Sequence, residues 1–133
     1  MRKSILIAAA LLLPLPSMAA EPSLPTEPWP RAVACQAHLF LIIQNAQAKG
    51  APKTAAGGIR VLQAALGNWH SAAAAAPEYS KERLGQEVEA YVTGPLGAGE
   101  GAIANEVRAA NAEVCVSEAV NAELEALEKK QDD

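Results

Sequence analysis

Apolar residues recur at intervals of three and four in four stretches of the chain, the spacing that holds side chains on one side of an α-helix. The first stretch, roughly Arg31 to Lys49, aligns Cys35, Leu39, Ile42 and Ala46. The second opens near Thr54, aligns Ile59, Leu62, Leu66, Trp69 and Ala73, and stops at Pro77 after an alanine run that favours helix. Ser80 can cap a third, striped by Leu84, Val88, Tyr91 and Val92, before Thr93-Gly94-Pro95 ends it. A fourth begins beyond GPLGAGEG with Ile103, Val107, Ala110 and Val114. The one strand-like run, Leu39 to Ile43, has helix-compatible flanks and no turn signal beside it. The pattern predicts an all-α fold: a small four-helix bundle with short turns, a helical domain over residues 31–130.

The fourth stripe changes direction part-way. Continued past Cys115, the face of Ile103, Val107, Ala110 and Val114 becomes Glu118, Asn121, Glu125 and Glu128, while apolar residues move to Val116, Val120, Leu124 and Leu127. On a straight helix that is a rotation of roughly 120°. Either the helix breaks near Cys115, or its last turns leave the core. In the second case they bury against the first helix, the N-terminal segment, or a second copy of the chain in a homodimer. Val116, Val120, Leu124 and Leu127 are therefore candidate partner-binding residues.

Residues 1–19 read as a signal peptide rather than as part of the fold. Arg2 and Lys3 precede an apolar run, Ile5 to Leu15, and Ser17-Met18-Ala19 places small residues where a signal peptidase cleaves. Pro14 and Pro16 interrupt the run before it reaches the about 18 to 20 residues of a spanning helix. No cysteine sits at the cleavage point to carry a lipid. The expected product is periplasmic or secreted, with no membrane attachment after cleavage. Residues 20–30 follow as a proline-rich extended segment, with prolines at 22, 25, 28 and 30. It reads as a tether or as a docking motif for a proline-reading domain, with Trp29 folding back on the domain as a plug.

Export places the chain's two cysteines, Cys35 and Cys115, in an oxidising space. Alanine supplies 26 of the 114 residues left after cleavage, against five aromatic residues, so stability must come from close approach of helices. Close approach is what a disulfide needs, because its Cα atoms lie about 5.5 Å apart whereas helix axes usually stand about 8–10 Å apart. On the fourth helix Cys115 shares about 60° of arc with Ala104, Ala119, Ala122 and Ala126, a seam of small side chains. This predicts a Cys35–Cys115 bridge between the first and last helices. A catalytic thiol is the competing role, but His38, one turn from Cys35, is the nearest base and Cys115 lies among acids.

With Arg2 and Lys3 removed, nine basic residues face fifteen acidic ones, a net charge of −6 that argues against nucleic acid as a partner. The segment Glu78 to Asp133 alone holds thirteen acids and five bases, which suits solubility or the steering of a partner. Two histidines and two cysteines show none of the paired spacings of zinc or haem sites, and no methionine follows Met18. No metal and no cofactor are expected. The glycine-rich run Gly97 to Ala102 lacks the preceding strand and the lysine of a phosphate cradle, and Glu100 would repel an anion there. It reads as an adaptable loop, and Leu96, Gly97, Gly99 and Glu100 are the candidates within it for contact with another protein. No hydrolytic or redox template is complete, so the chain is not expected to be an enzyme.

One arrangement of residues carries a likeness. Trp29 just upstream of Cys35, a third helix ending in Tyr91-Val92, and Cys115 followed by Glu123-Leu124 and Leu127 resemble the small periplasmic immunity proteins that neutralise type VI secretion amidase toxins. The resemblance spans most of the chain beyond the signal peptide. It implies an all-helical, often dimeric protein that inhibits a peptidoglycan-cleaving amidase through a loop entering the enzyme's cleft. The loop in the corresponding place is Gly94 to Gly101, and it holds no matching inhibitory motif to carry over. A second likeness is to acid-stress periplasmic chaperones with one disulfide across a helical bundle, in which the cysteines are closer in sequence. The expected function is thus an exported protein-binding module, with a stress chaperone or a structural helical protein as alternatives.

Overall fold

The computed structural model describes residues 20–50 and 56–132, so the expected signal peptide and the start of the second helix near Thr54 lie outside the described residues. Among the described residues four helices follow in order: α1 Pro28–Ala48, α2 Ala56–Ala74, α3 Lys81–Thr93 and α4 Asn105–Asp132. No strand occurs among the described residues. The fold is the all-α bundle that the hydrophobic pattern predicts, with α1 joined to α4 through Cys35–Cys115.

Pro28 and Pro30 start α1 instead of delaying it to Arg31. A proline in the first helical turn has its φ already set and lacks only an N–H that the turn leaves unbonded. The segment without regular structure therefore ends at Glu27, and Trp29 belongs to the helix. Trp29 still closes the core, at 3% exposure. Its indole N–H donates to Glu87 Oε1 on α3 at 2.9 Å, and the Arg83 guanidinium stands over the ring, 5.4 Å from its centroid. At the other end Gly50 takes φ +65°, the left-handed conformation that releases a chain from a helix, and its N–H donates to the Gln47 carbonyl at 3.1 Å. Ser80 Oγ caps α3 by accepting the Arg83 N–H at 3.0 Å.

Helix α1 is central. It contacts each of the other three helices, and every residue from Ala32 to Leu39 is buried. The one-sided stripe expected of it is thus too narrow: Cys35 and Leu39 are buried as read, but Ile43 rather than Ile42 continues the core. Small residues make this all-round burial possible, because Ala32, Ala34 and Ala37 let neighbouring helices approach. Two clusters result. One gathers Trp29, Ala32, Val33, Ala73 and Leu84; the other gathers Cys35, Leu39, Ala65, Cys115 and Ala119. Trp69 on α2 packs against both, and its indole N–H donates to the Cys115 carbonyl at 2.8 Å.

Helix α4 is continuous through Cys115, which decides between the two readings of its shifted stripe. Its buried residues are Asn111, Cys115 and Ala119, with Val107, Ala110 and Val114 half-buried on the flank. Ile103 precedes the helix. Of the alanine seam expected around Cys115 only Ala119 is used: Ala104 lies exposed before the helix begins, and Ala122 and Ala126 are exposed in a stretch where no described residue after Ala119 is buried. At the bridge the Cα atoms are 5.4 Å apart, inside the range a disulfide requires.

The bridge closes a loop of 80 residues, which in the chain-entropy account contributes about 4 kcal/mol as an upper figure. Replacing Cys35 and Cys115 together by alanine is expected to lower the unfolding free energy by roughly 2–4 kcal/mol in urea titrations. A loss below about 0.5 kcal/mol would show that α1 and α4 hold together without the covalent link.

Candidate functional site

The loop between α3 and α4 is fixed at both ends. Gly94 ends α3, the Leu96 N–H donates to the Tyr91 carbonyl at 3.0 Å, and the Ile103 N–H donates to the Pro95 carbonyl at 2.7 Å. Arg108, in the first turn of α4, reaches back: its guanidinium donates to the carbonyls of Ile103 and Gly97, each at 2.9 Å. A side chain at Gly97 would meet the Thr93 carbonyl oxygen at 2.3 Å, so only glycine fits there. Leu96 is 5% exposed and serves as a plug under the loop. Of the four loop residues singled out in the sequence, Leu96 and Gly97 are thus structural, while Gly99 and Glu100 stand in the exposed tip, Ala98 to Ala102. The loop that composition makes adaptable is pinned, with a short free tip.

The second candidate surface lies on α4. Val116 is half-buried and packs against the cluster around the disulfide, whereas Val120, Leu124 and Leu127 are 42%, 53% and 55% exposed. Helix α1 does not cover them, and neither does the N-terminal segment. That segment runs elsewhere: Leu24 packs on the disulfide cluster, the Ser23 N–H donates to Asn111 Oδ1 at 2.7 Å, and the Pro25 carbonyl accepts from Arg31. Roughly 22 Å of helix separates the start of α4 from Val120. The loop tip and the α4 strip are therefore distinct surfaces.

Sequence reading missed two features. The first is a buried polar network. His38 and Asn111 lie one turn from Cys35 and Cys115, and the disulfide brings them together with His38 Nε2 and Asn111 Nδ2 3.2 Å apart. The Asn111 amide donates to His38 and to Ser23 Oγ while its oxygen takes the Ser23 N–H, so Asn111 is wholly buried and satisfied. Tyr91 meets the His38 ring edge-on at 5.7 Å. Burial, helped by the positive charge of Arg108, lowers the His38 pKa from 6.5 to about 4. With Cys35 in the bridge and His38 holding Asn111, the pairing of thiol and base weighed in the sequence does not form. The neighbouring tie is ionic: the Arg31 guanidinium forks onto both carboxylate oxygens of Glu118, and that hydrogen bonding holds the Glu118 pKa below its ordinary value.

The second feature is an open apolar cleft of about 590 Å³ between α1, α2 and α3, lined by Phe40, Leu84, Val88 and Val92 with Gln36 and His70 among them. Helix α1 has more apolar circumference than its neighbours cover, and Phe40, which lies off the stripe expected in the sequence, is left half out. Among the described residues no three His, Cys, Asp or Glu side chains converge in a metal-binding geometry, and no buried side-chain polar atom lacks a partner. No helix of the described residues is long and apolar enough to cross a membrane, and the disulfide is compatible with an oxidising location. No protein-family model, curated protein or solved structure matches the chain.

The His38 network has a pH signature. The unfolded histidine takes a proton near its ordinary pKa of 6.5, whereas the folded one resists until about 4, so between these values the unfolded state binds more protons. Stability is accordingly full above about pH 6.5 and falls as the pH drops, by roughly 3 kcal/mol when pH 4 is reached. Urea unfolding from pH 7 to 4 should show this slope, and His38→Gln should flatten it. Direct NMR titration of His38 near pH 6.5 would contradict the assignment.

Proposed function

We propose that this chain is an exported, non-catalytic protein-binding module, and that its target is a peptidoglycan-cleaving amidase of the kind delivered as a toxin. The observation that supports the reading is the tip of the α3–α4 loop. Ala98 to Ala102 is exposed on a base fixed by Leu96 and Arg108, so binding there would order little additional chain. Inhibitors that enter an enzyme cleft gain affinity in this way, from a short segment already held in shape. The acidic surface and the bridge suit a periplasmic or secreted setting, in which residues 1–19 act as a signal peptide and are removed.

The test is inhibition of secreted peptidoglycan amidases by the purified, disulfide-bonded protein, with complex formation followed by calorimetry. The expected result is a stoichiometric complex that blocks cleavage of cell-wall peptides. Gly99→Trp or Glu100→Arg in the tip should weaken binding at least about tenfold, as changes in the centre of a small interface do. Binding that survives both substitutions would place the contact elsewhere; hydrolysis of peptidoglycan by this chain itself would overturn the non-catalytic reading.

A periplasmic stress chaperone is the second reading, and the His38–Asn111–Ser23 network supports it. Protonated His38 can no longer accept from Asn111, which loosens the hold of α1 and the N-terminal segment on α4. On this reading, binding of a hydrophobic dye and suppression of client aggregation both appear as the pH falls from about 6 to 3. A protein that binds no dye at pH 3 and protects no client excludes it.

A further inference from the structure

The unpartnered end of α4 points to an occupant through its charges. After Ala119 the helix continues for thirteen residues, about 20 Å, with no buried position among the described residues. Val120, Leu124 and Leu127 repeat at four and three, the seam spacing of a two-helix coiled coil, and all three are exposed. Glu123 and Lys130 sit one heptad apart on one flank of this seam, and Asn121 and Glu128 one heptad apart on the other.

We propose that the last turns of α4 pair antiparallel with the same turns of a second copy of this chain, across a two-fold axis between Leu124 and Leu127. In an antiparallel pair each flank meets its own equivalent. Leu124 packs on the partner's Leu127, Glu123 faces the partner's Lys130, and the symmetry repeats the ion pair. The other flank sets Asn121 near the partner's Glu128, which is polar and without like-charge contact. A parallel pair would set unlike flanks together, so that Glu123 met the partner's Glu128, and it would align the two helix dipoles. The charges therefore select both the occupant and its direction. Beside Val120, Val61 and Ala64 of α2 line a shallow cleft of about 160 Å³, in position to receive the partner's final turn. The contact is small, in the class below about 1,200 Å² that gives reversible association. It lies at the opposite end of α4 from the α3–α4 loop, so it neither requires nor excludes the inhibitory reading.

Sedimentation equilibrium of the processed, disulfide-bonded protein from low micromolar to millimolar concentration tests the pairing. A reversible dimer is expected, abolished by Leu124→Glu. Glu123→Lys and Lys130→Glu should each weaken it about fivefold, and the double exchange should restore it to within about twofold, since two rim pairs are reversed and then rebuilt. These positions are exposed, and circular dichroism with the bridge intact verifies that the variants are folded. A strict monomer at millimolar concentration overturns the proposal. So does a dimer indifferent to Leu124→Glu, or one that Glu123→Lys tightens, the result a parallel pair would give.

Discussion

The arrangement of this bundle depends on one close approach, the 5.4 Å between the Cα atoms of Cys35 and Cys115. Helix axes rarely come near enough for such a bond unless the surrounding residues are small. Here α1 supplies Ala32, Ala34 and Ala37, α2 supplies Ala65 and α4 supplies Ala119, all buried. With so few aromatic residues, the core gains less from bulky side chains than from packing at short range. The two largest rings are used at its edges, Trp29 against α3 and Trp69 between the two clusters. Trp69 also ties α2 to the bridge itself, since its indole N–H ends on the carbonyl of Cys115. The covalent link is thus surrounded by contacts that would be misplaced without it.

Polar ties on either side of the bridge set the direction of α4 against α1. Arg31, one turn before Cys35, pairs with Glu118, almost one turn after Cys115; His38, almost one turn after Cys35, meets Asn111, one turn before Cys115. These three meeting points run in opposite senses along the two helices. Because the Asn111 amide is buried and every polar atom in it is used, a slip of α4 along its axis would strand buried donors at a cost of about 1–3 kcal/mol each. A disulfide fixes one point of contact. The histidine–asparagine pair fixes the register, and the Ser23 backbone carries that register into the N-terminal segment.

The helices and the bridge were legible in the sequence because each follows from a local pattern: three-and-four spacing, Ser80 before a helix, Pro77 and Gly94 after one, and two cysteines with alanine beside them. What escaped depends on partners far away in the chain. His38 drew notice only as a base one turn from Cys35 and Asn111 none at all, and only the fold shows that each is the reason the other can be buried. The burial of Ala32 through Leu39 on every side of α1 was hidden because Gln36 and His38 interrupt an otherwise apolar run. The pinning of the α3–α4 loop was equally out of reach, because the guanidinium that does it belongs to Arg108, beyond the loop, and acts on backbone carbonyls that carry no sequence signal. The exposed end of α4 was half legible. The shifted apolar stripe announced a change of surroundings, and continuity of the helix shows that the surroundings change while the helix does not.

The position of Cys115 within α4 explains why one helix serves two surfaces. Ten residues of α4 precede the cysteine and seventeen follow it. The leading ten lie within reach of the bundle, and Arg108 among them braces the loop. The trailing seventeen are held through Val116, Glu118 and Ala119, after which no described residue of the helix is buried and Val120 and Glu123 only border the shallow cleft against α2. A bridge placed two turns later would draw Val120 and Leu124 toward the core and leave the loop less supported. As built, the staple divides α4 into a braced half and a free half. Whatever contacts the free half can therefore bind without disturbing the loop, because the rigid segment from Asn111 to Ala119 stands between them.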